Sequence, residues 1–219
     1  MRYHEILYEN ILDNPSFRKW FGNSKIVANG NPIVVYHGTN KDFDAFDIEK
    51  AMSEGGVFYF CRNPGFKKGW DSKSAGGYAS GVGGNVIPVY LKMEKPYVTG
   101  FTEELPSPSL PLFPHIYDKE DEEAFEKWYD KQKLFDKKFN DDRYKINYYC
   151  SEIRYAKKNG YDGVIFKHIT DDRYHSEIHS YPSDVYAVFS PNQIKSAIGN
   201  KGTFDATTNN ISENIKYFK

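Results

Sequence analysis

A chain of 219 residues with a net charge of −1, from 29 basic and 30 acidic residues, has no global attraction for nucleic acid or an anionic membrane. Its length suits one large domain or a domain with an appendage, and 18 Tyr and 16 Phe can fill a core short of aliphatic residues. No apolar run approaches the roughly 20 residues that span a bilayer, and the first residues lack the apolar stretch of a secretory leader. Cys61 and Cys150 make neither a disulfide framework nor a metal-site spacing. The expectation is a monomer of the reducing cytoplasm with no membrane contact.

Residues 1–30 read as a helical lead-in. Ile6, Leu7, Ile11 and Leu12 recur near helical period, Asn14-Pro15-Ser16 restarts the chain, and Phe17, Trp20 and Phe21 share a helical face that Gly22 ends. Those rings are expected in the core. Asn29-Gly30 favours positive φ and predicts a hairpin between Lys25-Ile26-Val27 and a strand beginning at Ile33. That strand runs through Val35-Tyr36 and ends in His37-Gly38-Thr39, which brings an imidazole, a bare backbone and a hydroxyl to one sheet edge.

A wrapping loop with Phe43, Phe46 and Ile48 follows, then a buried strand, Val57-Phe58-Tyr59-Phe60. Ser72 to Ser80 can form a short helix weakened by Gly76 and Gly77. Val86 to Leu91 is a third strand, with Pro88 pointing to an edge or bulge. Residues 100–145 read as an insertion: a Pro-rich loop, then charged, amphipathic helix from Asp118 to Asn140. Tyr144 to Asn159 is a helix ended by Gly160, Gly163 to Phe166 a fourth strand and Val185 to Phe189 a fifth, with a turn or short helix from Ser190 to Lys195. The tail over 201–219 reads as flexible. Short strands interspersed with short helices, without regular βαβ alternation, predict an α+β fold around one sheet over 31–200. His168, His175 and His179 lie in a loop-like stretch without partner cysteines, so no metal is expected.

Several pieces stand in a telling order: His37-Gly38-Thr39, Tyr59 within its strand, Ser72-Lys73-Ser74-Ala75 followed by Tyr78, and the late strand up to Phe189. Tyrosines can stack on a flat cationic ring, and His-Gly-Thr can hold ribose hydroxyls and a carboxamide. Together they suit the nicotinamide half of NAD+. The sequence resembles the His-Tyr-Glu branch of the ADP-ribosyltransferase superfamily, the diphtheria-toxin and poly-ADP-ribose-polymerase branch. Within it, the likeness is greatest to the phage and mobile-element domains of polyvalent proteins. It is carried by Trp20 to Val27, Val35 to Thr39, Asn85 to Leu91, Gly160 to Ile165 and Val188 to Ser196.

The resemblance implies a split β-sheet core and NAD+ as co-substrate. It implies that Gly38 holds the carboxamide, that His37, assisted by Thr39, holds a ribose, and that Tyr59 and Tyr78 sandwich the nicotinamide. Ser74, with Lys73 beside it, lies near the amide. The family's glutamate aligns with Val185, so Asp184 one residue earlier, then Glu177, are the candidate acids, with Asp171 and Asp172 behind them. In a strand Asp184 and Val185 face opposite ways, and Asp184 needs a bulge or a register shift to take the place of Val185. The expected activity is transfer of one ADP-ribose to a host macromolecule, a protein ahead of a nucleic acid. The alternative is a pocket that has lost its acid and serves as an NAD+ sensor. An RNA 2′-phosphotransferase would need more basic residues than Arg62 and Lys73 near these motifs.

Overall fold

A computed structural model describes residues 11–51, 56–62, 75, 79, 83–100, 152–169, 183–200 and 202–212. The lead-in helix α1 (Pro15–Phe21) begins as the sequence predicts. The Asn14 side chain accepts from the amides of Ser16 at 2.8 Å and Phe17 at 3.2 Å, Pro15 fills the first turn, and Gly22 ends the helix at φ 56°. The hairpin β1 (Val27–Ala28) and β2 (Asn31–Pro32) closes through Asn29 and Gly30, at φ 50° and 79°.

Seven strands form the main sheet: β3 (Val35–Thr39), β4 (Phe58–Cys61), β5 (Asn85–Leu91), β6 (Pro96–Gly100), β7 (Gly163–Ile169), β8 (Ser183–Val188) and β9 (Ile194–Ser196). Their order is β6-β7-β8-β4-β3-β5-β9, antiparallel except for the parallel β6–β7 pair. With its short helices this is the expected α+β fold around one sheet. The sheet is split at its centre: β3 and β4 share only the rung Tyr36↔Cys61, whereas β3 and β5 pair from Val35↔Val89 to Thr39↔Asn85.

Strand alternation gives the sheet two apolar faces. One buries Val35, Phe58, Phe60, Ile165, Tyr186 and Val188 with Phe46 and Ile211. The other buries Cys61, Val164, Phe166, Val185 and Ala187 beneath helix α2 (152–158), which contributes Ile153 and Ala156. Helix α2 ends with Gly160 at φ 69°, where the Tyr161 amide reaches the Ala156 carbonyl at 3.0 Å and the Gly160 amide the Lys157 carbonyl at 3.2 Å.

A third cluster docks the lead-in on β5. Phe17, Trp20 and Phe21 pack with Tyr90, Ala197 and Phe204, and the Trp20 indole donates to the Asn192 carbonyl at 3.1 Å. Gln193 joins the strand ends. Its carbonyl oxygen accepts from the amides of Phe189 and Ser190, and its amide donates to the carbonyls of Lys92 and Asp162, so its whole hydrogen-bonding capacity is used.

The fold departs from the sequence-based expectations in three places. Pro96–Gly100 is an edge strand where none was expected, and Ile194–Ser196 is a strand that follows a 3-10 turn at Pro191–Gln193. Residues 202–212 pack on the sheet instead of trailing from it. Phe204 and Ile211 are buried, and Asn14 Nδ2 donates to the Gly202 carbonyl at 3.1 Å. Composition suggested a loose tail there because Gly, Thr and Asn dominate, but two apolar anchors suffice to hold it. The insertion over 100–145 lies outside the described residues beyond Gly100, as do 1–10 and 213–219. Among the described residues no helix is long and apolar enough to cross a membrane.

Phe17 is 1% exposed and meets the rings of Trp20, Phe21, Tyr90 and Phe204. Phe17→Ala is expected to lower the unfolding free energy by about 3–5 kcal/mol in a urea titration, because the ring leaves a cavity that rigid neighbours cannot close.

Candidate functional site

The site begins where the sheet splits. Beyond Tyr36↔Cys61 the strands diverge, and the backbone of β4 near Tyr59 loses its ladder partner on β3. The His37 side chain takes that place: Nδ1 lies 2.9 Å from the Tyr59 carbonyl. A carbonyl can only accept, so Nδ1 carries the proton and the neutral ring keeps Nε2 as an acceptor. The rings of Phe46, Phe60 and Phe43 lie 5.0, 5.4 and 6.2 Å away, centroid to centroid. Burial lowers the His37 pKa from its ordinary 6.5, and the bond to Tyr59 opposes that shift only in part. At neutral pH His37 is therefore an uncharged hydrogen-bonding group.

Gly38 continues β3 on the other face. A methyl group there would collide with the Ala75 carbonyl, and one on Gly84 would collide with the Ala79 carbonyl. The backbone at Ala75 and at Ala79 thus lies directly on these two glycines, with no room for a side chain between. The Ala75 amide donates to the Cys61 sulfur at 3.1 Å, which ties the same segment to β4. The register that pairs Tyr36 with Cys61 sets Tyr59 across from Gly38, and the half-buried Tyr59 packs on the cluster of Cys61, Ala75 and Val185. Pieces of three motifs, His-Gly-Thr, the Tyr59 strand and Ala75 of the Ser-Lys-Ser-Ala segment, therefore meet on one side of the sheet. Thr39 Oγ1 accepts from the Lys41 amide at 3.1 Å and shapes the turn after β3.

The carboxylates are placed differently. Val185, where the family's acid aligns, is buried among Cys61, Ala75 and Ala187, on the Tyr59 side. Asp184 lies on the His37 side. Its carboxylate meets Lys167 Nζ at 2.5 Å and hydrogen-bonds the Tyr186 hydroxyl, and Tyr186 packs in the cluster with Phe60. Burial, with the Asp184 charge second, raises the Tyr186 pKa, so this phenol is protonated at any ordinary pH. A bulge does occur, but between Phe166 and Ile169 on β7; the β8–β4 register runs unbroken from Val185↔Cys61 to Val188↔Phe58. The structure sets Gly38, Tyr59 and Ala75 together on one side of the sheet, with the His37 ring and Asp184 on the other. Lys73, Ser74, Tyr78, Glu177, Asp171 and Asp172 lie outside the described residues, as do His175 and His179.

Sequence reasoning missed the aromatic cage of His37, although Phe43 and Phe46 at short spacing in a loop were its signal. It also missed Lys167 as the partner of Asp184, which follows from the β7–β8 pairing that no motif announces, and Cys61 as the anchor of Ala75.

The family model described as ADP-ribosyltransferase in polyvalent proteins matches residues 28–204. No curated protein and no solved structure matches the chain.

Two outcomes test the geometry. Gly38→Ala is expected to cost about 1–3 kcal/mol, because its methyl must displace the Ala75 backbone; thermal unfolding reads this directly. His37, with its lowered pKa, resists protonation when folded, whereas the unfolded chain takes up the proton near 6.5. The stability it contributes is complete above that pH and declines as the pH falls below it. Urea titrations at pH 7.5 and 5.5, with His37→Gln as the non-titrating reference, are expected to show the larger loss in the native protein.

Proposed function

The chain belongs to the ADP-ribosyltransferases of polyvalent proteins, a family whose chemistry is ADP-ribosyl transfer from NAD+, and on that premise we propose that it moves a single ADP-ribose unit from NAD+ to a macromolecular acceptor. We take that acceptor to be a protein ahead of a nucleic acid, in the cytoplasm of a host cell, for an enzyme encoded by a phage or mobile element.

The observation that carries this reading is the meeting of Gly38, Tyr59 and the Ala75 segment on one side of the split sheet. Tyr59 offers a half-buried aromatic ring for stacking on a pyridinium. Gly38 offers backbone that a planar carboxamide can approach. On the other side of β3, the neutral His37 offers Nε2 to a ribose hydroxyl. Tyr78, Ser74 and Lys73 complete the pocket in this reading, with Thr39 in support.

In the reaction, the bond between the ribose anomeric carbon and the nicotinamide nitrogen breaks, and nicotinamide leaves with the electron pair. The oxocarbenium-like carbon is then captured by the acceptor nucleophile, which gives up its proton. A carboxylate near the ribose would stabilise the positive charge as it develops. Lys167 and the Tyr186 hydroxyl already engage Asp184, which favours Glu177 over Asp184 for that role.

One observation favours a second reading, an NAD+-binding sensor without transfer. The position where the family's acid aligns is a buried valine, Val185.

Labelled NAD+ incubated with the native protein and a bacterial lysate distinguishes the two. Transfer predicts a labelled acceptor and free nicotinamide, with the rate reduced about 100- to 1,000-fold in Glu177→Ala, comparably in His37→Ala, and little in Asp184→Ala. Binding of NAD+ without labelled product or released nicotinamide would leave the sensor as the surviving reading.

A further inference from the structure

Lys195 on β9 is fully buried, an uncommon place for an ammonium group. Its Nζ donates to the carbonyls of Thr208 at 3.1 Å and Asn210 at 3.2 Å, and its charge reaches Asp205. A buried ammonium is tolerable only when bonded in this way, so the 205–210 segment and Lys195 hold each other in place.

The segment then reaches the loop around His37. The Ser196 amide donates to the Ile211 carbonyl at 2.9 Å, the Ile211 amide donates to the Asp44 carbonyl at 3.0 Å, and Asn210 forms a bridge with Ala45. Asn209 Nδ2 lies 3.5 Å from the Phe46 carbonyl. Ile211 and Phe46 share one buried cluster with Phe60, and the Phe46 ring stands edge-on to His37 at 5.0 Å.

We propose that Lys195 is a positioning residue for His37: its ammonium fastens the 205–211 strap, the strap fixes residues 44–46, and Phe46 so placed walls the imidazole in. The chain of contacts has no gap. Each link is a hydrogen bond, a bridge or a ring contact between neighbours, and the last member touches the imidazole that binds the Tyr59 carbonyl. Loss of the ammonium removes its hydrogen bonds to the Thr208 and Asn210 carbonyls, loosens the strap and lets water reach the ring.

The test follows the imidazole itself. His37 is titrated by NMR in the full chain for the native protein, Lys195→Met, Asn209→Ala and Ile153→Val, at a temperature where each is folded. Lys195→Met keeps the stem and removes only the charge; Ile153→Val weakens the core on the opposite face. The expected result is a His37 midpoint that climbs toward 6.5 in Lys195→Met, climbs less in Asn209→Ala and stays put in Ile153→Val. NAD+ affinity is expected to fall about 5-fold or more in Lys195→Met. A Lys195→Met protein that unfolds more easily but titrates like the native one overturns the proposal, since a purely structural lysine would behave that way. If Lys195→Met does not fold, an unmoved midpoint in Asn209→Ala overturns it instead. The affinity arm rests on the NAD+ reading, but the titration does not: failure of the native protein to bind NAD+ would sink that reading and leave the strap tested.

Discussion

The bond between His37 Nδ1 and the Tyr59 carbonyl stands where the sheet would otherwise fall open, since one rung, Tyr36↔Cys61, is the whole ladder between its two halves. A cleft between strands leaves backbone groups without ladder partners, and such groups are costly when removed from water. The imidazole meets that need for one carbonyl, and the requirement reaches back into the rest of the chain. The ring must carry its proton on Nδ1 for this bond, which by itself favours the charged form, so keeping the ring neutral calls for a dry environment. Dryness calls for Phe43 and Phe46 from the following loop, and that loop is held by backbone bonds to the C-terminal strap. One side-chain bond thereby links the 43–46 loop and the C-terminal strap to the place where the sheet divides.

The opposite side of the split follows another rule, absence of side chain. Gly38 and Gly84 let the backbone at Ala75 and Ala79 rest on the strands, and the Cys61 sulfur accepts the Ala75 amide. The two sides of the site thus differ in kind. Packed aromatic rings enclose the imidazole, whereas main chain lies against main chain beside Tyr59. The carboxylates respect the same division: period-two alternation commits Val185 to the Tyr59 side and Asp184 to the other, where Lys167 and Tyr186 receive it.

Much of this could be read from the residues. Asn14, Pro15 and Gly22 bound their helix because capping chemistry is local. Asn29-Gly30 set the hairpin for the same reason, and β-branched and aromatic runs gave the strands around Val35, Phe58, Val86, Val164 and Val185. The order of motifs pointed to the family that the whole-domain match supports. What escaped was non-local. Tyr97-Val98-Thr99 is a strand because β7 lies beside it, and Ile194–Ser196 because β5 does. The 202–212 strap reads as polar linker until the buried Lys195 and the apolar Phe204 and Ile211 are seen to hold it.

The single parallel pair in the sheet carries a different consequence. Strands that run side by side in the same direction cannot be joined by a turn, so the chain leaving Gly100 must travel the length of β6 before re-entering at Gly163. Closure of such a crossover depends only logarithmically on its length: doubling it adds roughly 0.6 kcal/mol of chain entropy. The sheet register is fixed by rungs from Pro96↔Gly163 to Gly100↔Lys167, and what the sheet takes from the crossover is helix α2, whose Ile153 and Ala156 cover one of its faces. Length added to this junction outside α2 therefore costs little chain entropy while the His37 side and the Tyr59 side of the cleft stay as they are.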